Sequence, residues 1–168
     1  MDPEDADQAP EARPPLLEDL VSLCRNLNDA RALYVVIGGM AVIQAGFGRA
    51  TNDIDLLIDT SPDNQNRVRK ALMALPDQAV RDMTPEDLDR YVVVRVADEI
   101  VVDLMKSACG IMYAEASKMI GEVEIEGVRI PFANARLLWL TKDTVRDKDK
   151  VDRAFLAQLL AARGDPVE

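Results

Sequence analysis

The sequence predicts a single α+β domain. Its 168 residues are enough for one domain that buries most of its apolar surface, and a second independent domain is not expected. Segments with the periodicity of helices and of strands are mixed along the chain, and two pairs of strands have the short separation of antiparallel hairpins. Because these hairpins outnumber strand–helix–strand units, an α+β fold is favoured over a doubly wound sheet.

The composition indicates a soluble protein whose chemistry does not use histidine. Hydrophobic residues make up 48% of the chain and charged residues 30%, which is ordinary for a globular protein. The absence of histidine from the sequence removes the commonest general base and zinc ligand, so catalysis must use carboxylates, lysines, hydroxyls or a hard cation. A net charge of −10 repels a long nucleic-acid backbone unless basic residues cluster locally.

The N-terminal residues differ from the rest of the chain. Residues 1–15 contain five acidic residues against Arg13 and almost no large apolar side chains, so we predict a disordered acidic tail before a single domain at 16–168. The tail lacks the basic and apolar segments of a signal peptide, which favours a cytoplasmic location. Cys24 and Cys109 lack metal-type spacing and are expected to be small buried hydrophobic residues in a reducing compartment.

The first elements alternate between helix and strand. Apolar residues recur at helical spacing over 16–27, which predicts an amphipathic helix. A β-branched run at 34–37 predicts a strand that ends at Gly38-Gly39. The apolar segment at 40–45 then predicts a short buried helix.

The middle of the chain adds a strand, a helix and two hairpins. Residues 54–58 predict a second strand, after which Ser61-Pro62 supply an N-cap and a first-turn proline for a helix. The hairpins are predicted at 91–96 with 100–105 and at 123–125 with 128–130.

Two helices are predicted to close the chain. The first is expected near 133–141 and the second near 147–162. In the second helix, the spacing of the apolar residues predicts that Val151, Phe155 and Leu159 face the core.

The first candidate metal-binding or catalytic residues are Asp53 and Asp55. Alternate residues of a strand point to the same side, so both carboxylates emerge together, about 6.6 Å apart along the backbone. Aspartate is depleted in strands, and an ionised carboxylate among apolar residues is costly unless a cation or hydrogen bonds compensate it. The alternative for this short motif is the solvent-exposed end of a strand or an ordinary loop.

Asp103 is likewise an aspartate within a predicted strand, in the apolar segment 100–105. If the two strands are neighbours, three carboxylates meet in an oxygen-only site that suits Mg²⁺, with Mn²⁺ as the alternative, rather than zinc. A two-metal arrangement, with ions about 3.5–4 Å apart, supports in-line attack at phosphorus. The alternative for Asp103 is an ion pair with an arginine such as Arg95.

Gly38-Gly39 lies between a strand and a helix. Glycine leaves the backbone N–H groups free of side chains, so this turn is a candidate seat for phosphate oxygens. The alternative is a tight turn that requires a positive φ.

A longer pattern connects these residues. It runs through Gly38-Gly39, Arg49-x-Thr51-x-Asp53-x-Asp55 and Asp103. Over residues 34–105 it resembles the DNA polymerase beta-type nucleotidyltransferase superfamily. The resemblance implies a mixed or antiparallel sheet flanked by helices, metal-binding aspartates on two neighbouring strands, and transfer of a nucleoside monophosphate with release of pyrophosphate. Many members of the superfamily have Gly-Ser at the turn, whereas this chain has Gly39, so backbone N–H groups must suffice.

Within that superfamily the chain resembles the AbiEii-like, minimal toxin nucleotidyltransferases of bacterial toxin–antitoxin and phage-defence systems. The resemblance rests on the segment that contains Arg49 and Thr51 and on a later stretch, Arg146-x-Lys148-Asp149-x-x-Asp152. It implies that Arg49 and Thr51 contact the triphosphate or support the metal loop, that Lys148 or Arg146 reaches the nucleotide, and that Asp149 orients it. The alternatives are a structural salt bridge for Arg49 and a solvated helix face for the later charges.

The predicted function is therefore Mg²⁺-dependent transfer of a nucleoside monophosphate from an NTP to an acceptor hydroxyl. Resemblance favours RNA, such as a tRNA 3′ end, as the acceptor. It also favours a toxin role, with a cognate antitoxin as a candidate partner. No membrane association is expected, because no apolar run approaches the length needed to cross a bilayer. The alternatives are a small-molecule or protein acceptor, or a non-catalytic nucleotide-binding regulatory or partner-binding module that retains the fold.

Overall fold

The computed structural model describes residues 12–167 as a mixture of strands and helices, which confirms the predicted α+β class. The strands are β1 (Tyr34–Ile37), β2 (Asp53–Ile58), β3 (Val93–Ala97), β4 (Val101–Met105), β5 (Ser107–Ala108), β6 (Ile111–Met112), β7 (Ile120–Ile125) and β8 (Val128–Ala133). The helices are α1 (Leu17–Asp29), α2 (Gly38–Gln44), α3 (Pro62–Leu72), α4 (Asp87–Arg90), α5 (Tyr113–Ala116), α6 (Ala135–Thr141) and α7 (Asp147–Ala162), with a 3₁₀ turn at Ala79–Asp82.

A mixed sheet forms the centre of the protein. Within the described part of the chain it has six strands in the order β3-β4-β2-β1-β8-β7. The β2–β4 and β1–β8 pairs are parallel, and the other pairs are antiparallel. Both predicted hairpins, β3–β4 and β7–β8, are present. Helices flank the sheet, as predicted.

The first residues of strand β2 alternate between acidic and buried apolar side chains. Ile54 and Leu56 are fully buried, whereas Asp53 and Asp55 alternate with them and are only partly buried. Burying each of these apolar side chains stabilises the fold by about 1.5–3 kcal/mol. The same alternation therefore anchors the strand and directs both carboxylates to the opposite side of the sheet.

The helices cover the sheet in two groups. Helix α1 packs against α3 and β8, and its apolar stripe is buried from Leu20 to Leu27 as predicted, whereas Leu16 precedes the helix and is exposed. Ser61 caps α3 by accepting a hydrogen bond from the backbone N–H of Asn64 at 3.4 Å, and Pro62 opens that helix, as predicted. Helix α2 packs against β1 and β2, while α6 packs against α7 and α2. None of the described helices is long and apolar enough to cross a membrane.

Two predictions about burial are wrong. Cys109 is exposed, in a left-handed backbone conformation with φ of +48°, whereas Cys24 is buried as expected. The predicted core face of α7 is also wrong at Val151, which is 55% exposed. The buried residues at the start of that helix are Asp149 and Asp152, because they pair with cations that apolar periodicity does not detect.

The structure describes only the last residues of the predicted acidic tail, from residue 12 onward. Residues 1–11 lie outside the described residues. Farther along, the backbone N–H of Arg13 donates to the carbonyl oxygen of Glu99 at 3.0 Å, and its guanidinium donates to both carboxylate oxygens of Asp19 at 2.7 Å. Arg13 thus contacts both α1 and the β3–β4 turn.

Candidate metal and nucleotide site

Three carboxylates from neighbouring strands of the sheet lie close together. Asp53 and Asp55 project from β2, and Asp103 projects from β4. The two strands are parallel neighbours, with Asp55 directly opposite Asp103. One oxygen from each carboxylate lies within 4.8 Å of the others. The structure therefore brings together the three acids that the sequence suggested.

This donor set fits a hard divalent cation. Only carboxylate oxygens converge, which suits Mg²⁺ or Mn²⁺ and not the nitrogen and sulfur preferences of structural zinc. Burial, followed by the charges of Asp53 and Asp103, raises the pKa of Asp55 to about 7, although Lys142 and Lys148 partly oppose this rise. A cation bound between the carboxylates would favour the ionised form of Asp55.

Arg95 also binds these carboxylates. Its Nε donates to Asp103 Oδ1 at 2.9 Å and its Nη2 donates to Asp103 Oδ2 at 3.0 Å. The same Nη2 lies 3.4 Å from Asp53 Oδ2. The ion pair that the sequence offered as the alternative role of Asp103 is thus present, and it coexists with the convergence of the three acids.

The paired glycines allow the turn to approach the carboxylates closely. Gly38 has a φ of +69°, and a Cβ at this position would overlap the carboxylate of Asp55. A Cβ at Gly39 would lie 2.5 Å from Thr51 Oγ1. The packing therefore favours glycine at both positions, and the backbone of Gly38 lies directly beside the carboxylate of Asp55.

Thr51 and Arg49 connect this turn to the rest of the site. Thr51 Oγ1 donates to the carbonyl oxygen of Asp53 at 3.2 Å and so supports the start of β2. Arg49 Nη2 pairs with Asp152 Oδ2 at 2.7 Å, and the Asp152 side chain is only 1% exposed. Arg49 thus makes the structural salt bridge that the sequence left open, at a position next to Gly39.

Arg49, Lys142, Asp149 and Asp152 form what we term the buried charge cluster. Lys142 Nζ lies 3.2 Å from Asp149 Oδ1 and 3.0 Å from Asp152 Oδ2. Burial tends to raise the pKa of Asp149, but the hydrogen bond from Thr144 and the charge of Lys142 outweigh it, so that pKa lies below its usual range. The cluster ties the α6–α7 junction to the segment that precedes β2.

Two adjoining cavities make up the cleft. The first, which we term the polar cavity, has a volume of about 270 Å³. It is lined by Gly39, Thr51, Asp53, Asp55, Asp103, Arg95, Lys142, Arg146, Lys148 and Asp149, among others. The second, the apolar cavity, has a volume of about 250 Å³ and includes Ile37, Gly38, Val92, Met105 and Ala108. Asp55 and Lys142 line both cavities, so the cleft joins an acidic floor, basic side chains and an apolar extension.

Comparison with known proteins identifies the fold. No protein-family model and no curated protein sequence matches the chain. Among solved structures, the chain is similar to an antigenic nucleotidyltransferase-like protein from Paracoccidioides brasiliensis, with a TM-score of 0.55 and 15% identity over 87% of this chain and 76% of that one. It is also similar to a candidate nucleotidyltransferase from Thermotoga maritima, with a TM-score of 0.52 and 18% identity over 88% and 91% of the respective chains. The chain has the nucleotidyltransferase fold. Placement in the AbiEii-like branch stays a prediction.

Sequence reasoning did not assign Lys142 to the site of this nucleotidyltransferase fold. Lys142 is 6% exposed and lies where the polar and apolar cavities meet. It stands at the end of a predicted helix, shortly before Arg146 and Lys148, and that position is the signal that could have identified it. Its two carboxylate partners are separated from it in sequence, so the pairing itself is visible only in the structure.

Proposed function

We propose that this protein is a divalent-metal-dependent nucleotidyltransferase that transfers a nucleoside monophosphate from an NTP to an acceptor hydroxyl and releases pyrophosphate. One observation carries the proposal. The three carboxylates of β2 and β4 converge beside Gly38-Gly39, in a cleft that also contains basic side chains. The likeness to nucleotidyltransferase structures supports the fold on which this reaction would take place.

The carboxylates would hold the metal and the nucleophile. Asp53 and Asp55 would bind Mg²⁺, or Mn²⁺ in its place, and Asp103 would complete the site and accept the proton of the attacking hydroxyl. The cation, when bound, supplies charge neutralisation for the phosphate oxygens. The chain fixes these oxygens on two adjacent parallel strands before substrate arrives. This lowers the entropic cost of bringing the metal and the reacting groups into the required geometry.

The opposite wall of the cleft would receive the triphosphate. Gly38 lines the apolar cavity and Gly39 lines the polar cavity, so the backbone of the glycine turn borders the cleft, while Lys142, Arg146 and Lys148 supply positive charge. Asp149 would orient Lys142 and Arg146, with which it lies within ion-pair distance. In this assignment Arg49 and Thr51 support the glycine turn and the start of β2 rather than contact the phosphates.

For the acceptor we propose an RNA hydroxyl, with the protein acting as a cytoplasmic toxin controlled by a cognate antitoxin. This part of the proposal comes from the AbiEii-like motifs. The net charge of −10 favours a short contact with the end of an RNA over a long footprint along its backbone.

The test is incorporation of label from each of four α-labelled NTPs, with Mg²⁺ and with total RNA, a protein extract or no added acceptor. We expect label in RNA, and its loss in Asp53→Ala and Asp55→Ala, which remove metal ligands. Asp89→Ala, which changes an exposed acid on α4, is the matched control and should retain transfer.

Each other outcome has a defined meaning. Label in protein or in a small molecule would replace RNA as the acceptor but keep the enzyme class. Undiminished transfer by Asp53→Ala or Asp55→Ala would refute the metal assignment. Metal-dependent NTP binding without any transfer would favour a non-catalytic nucleotide-binding module.

A further inference from the structure

Arg95 is the one cation hydrogen-bonded to the proposed metal ligands among the described residues. Its guanidinium contacts both oxygens of Asp103 and one oxygen of Asp53. The bidentate contact uses the planar geometry that matches a carboxylate to a guanidinium. The lone pairs that face Arg95 are therefore engaged by its N–H groups.

A divalent cation and Arg95 cannot both use these oxygens fully. Metal binding through Asp103 weakens the bidentate contact, because a cation on a carboxylate oxygen withdraws the negative charge that attracts the guanidinium, even where it uses the second lone pair of that oxygen. A cation between the three carboxylates would also lie within a few ångströms of the guanidinium, where like charges repel. Arg95 therefore lowers the affinity of the carboxylates for metal.

The position of Arg95 allows it to leave. It lies on β3, one of the two edge strands of the described sheet, and its side chain is 61% exposed. Rotation of an exposed side chain is fast and sacrifices little packing. The pairing of β3 with β4 does not depend on this side chain, so its departure leaves the site intact.

The released guanidinium would still face the nucleotide. Arg95 lines the polar cavity together with Gly39 and Lys148, where the proposed function places the triphosphate. A phosphate offers a planar guanidinium the same kind of bidentate acceptor as a carboxylate.

We propose, on the basis of the proposed function, that the divalent cation displaces Arg95 from Asp103 and Asp53, and that Arg95 then binds a phosphate of the nucleotide. The exchange makes metal and nucleotide binding cooperative, because each ligand favours the arrangement of Arg95 that the other requires. By linkage, the nucleotide raises the metal affinity by the same factor as the metal raises the nucleotide affinity.

The first experiment titrates EDTA-treated protein with Mn²⁺ alone by calorimetry. Arg95→Gln should bind Mn²⁺ about tenfold more tightly than the wild type, which corresponds to the removal of one charged competitor. Arg129→Gln is the matched control, since it removes the same charge from the exposed face of β8. An equal or weaker Mn²⁺ affinity in Arg95→Gln than in the wild type would overturn the proposal, as would an equal gain in Arg129→Gln.

The second experiment repeats the titration with α,β-methylene analogues of the four NTPs, which cannot release pyrophosphate. The analogue that binds should raise the Mn²⁺ affinity of the wild type several-fold more than that of Arg95→Gln. An identical effect in both proteins would overturn the exchange. Asp55→Asn separates the two proposals: loss of Mn²⁺ binding there, with Arg95→Gln unchanged from the wild type, refutes only the exchange. Absence of Mn²⁺ binding by the wild type with and without every analogue refutes the metal centre and the proposed function with it.

Discussion

The surroundings of Asp55 disfavour the ionised form of its carboxylate. One of its oxygens lies within 4.8 Å of oxygens of Asp53 and Asp103, and its carboxylate packs against the backbone of Gly38. The sequence already signals this conflict, because Asp55 is an acid among the apolar residues of a strand. The register that places Asp55 opposite Asp103 could not be predicted, because strand pairing depends on residues far apart in the chain.

The raised pKa of Asp55 predicts a pH-dependent stability. Its ordinary value is 3.8, whereas burial and then the neighbouring carboxylates raise it to about 7 in the folded protein. Between these values the folded state keeps a proton that the unfolded state has lost, so the free energy of unfolding falls as pH rises from about 4 to 7 and this contribution is constant above that. We expect Asp55→Asn, measured by urea unfolding in EDTA, to be more stable than the wild type at pH 8 by roughly 2–4 kcal/mol and nearly equal to it at pH 4.

A difference between Asp55→Asn and the wild type that is independent of pH would contradict this account of Asp55. Mg²⁺ provides an internal control for the same carboxylate. Saturating Mg²⁺ should stabilise the wild type at pH 8 and leave the variant almost unaffected, because a bound ligand stabilises only the state that binds it.

Gly38 makes a second residue-scale prediction. An added methyl group would overlap the Asp55 carboxylate, in addition to the strain of a positive φ. Gly127 is the matched control, since its φ is +79° but no atom lies within 4 Å of its Cβ position. We expect Gly127→Ala to cost about 1–2 kcal/mol of stability and to retain nucleotide transfer. Gly38→Ala should cost more and lose transfer, and equal effects in the two variants would contradict the close approach.

At the scale of elements, helix α7 is attached to the site by charge. Its bounds were predicted correctly, because its periodicity and flanking residues are local signals. Its buried face was predicted only in part: Phe155 and Leu159 pack against the core, but Asp149 and Asp152 are buried through ion pairs with Lys142 and Arg49. Hydrophobic periodicity detects apolar burial only, so Val151 was placed in the core although it is exposed.

The buried charge cluster predicts that the loss of either of two cations near the start of α7 lowers the free energy of unfolding by very different amounts. Lys142→Met leaves Asp149 without its shortest ion pair and Asp152 dependent on Arg49, which should cost about 3–5 kcal/mol of unfolding free energy. Arg146→Gln removes a 3.9 Å contact from a side chain that is 61% exposed, and should cost less than about 1 kcal/mol. Urea unfolding of both variants checks the difference, and comparable losses would show that the cluster does not hold α7 in place.

At the scale of the whole molecule, local patterns were sufficient for the fold class. The hairpins and the helical periodicities predicted an α+β fold, and the family resemblance implied a mixed sheet flanked by helices, which the structure has. The parallel pairing of β2 with β4 joins segments that α3, α4 and β3 separate in sequence. The sequence therefore suggested which acids belong to the site, but their meeting depended on this non-local pairing.

Elements that are far apart in the sequence contribute residues to the site. Strand β4 brings Asp103 to the β2 aspartates, β3 adds Arg95, and the α6–α7 junction adds Lys142 from the far end of the chain. The groups in the proposed mechanism thus come from several elements, held by one sheet and its flanking helices. Such a site requires the complete domain.

The most direct measurement is a crystal structure of the protein with Mn²⁺ and the α,β-methylene analogue of the NTP it uses, with anomalous scattering to locate the metal. We predict an anomalous peak bonded to oxygens of Asp53, Asp55 and Asp103, with the triphosphate beside Gly38-Gly39. Manganese bound elsewhere, or a nucleotide that does not touch this cleft, would contradict the account.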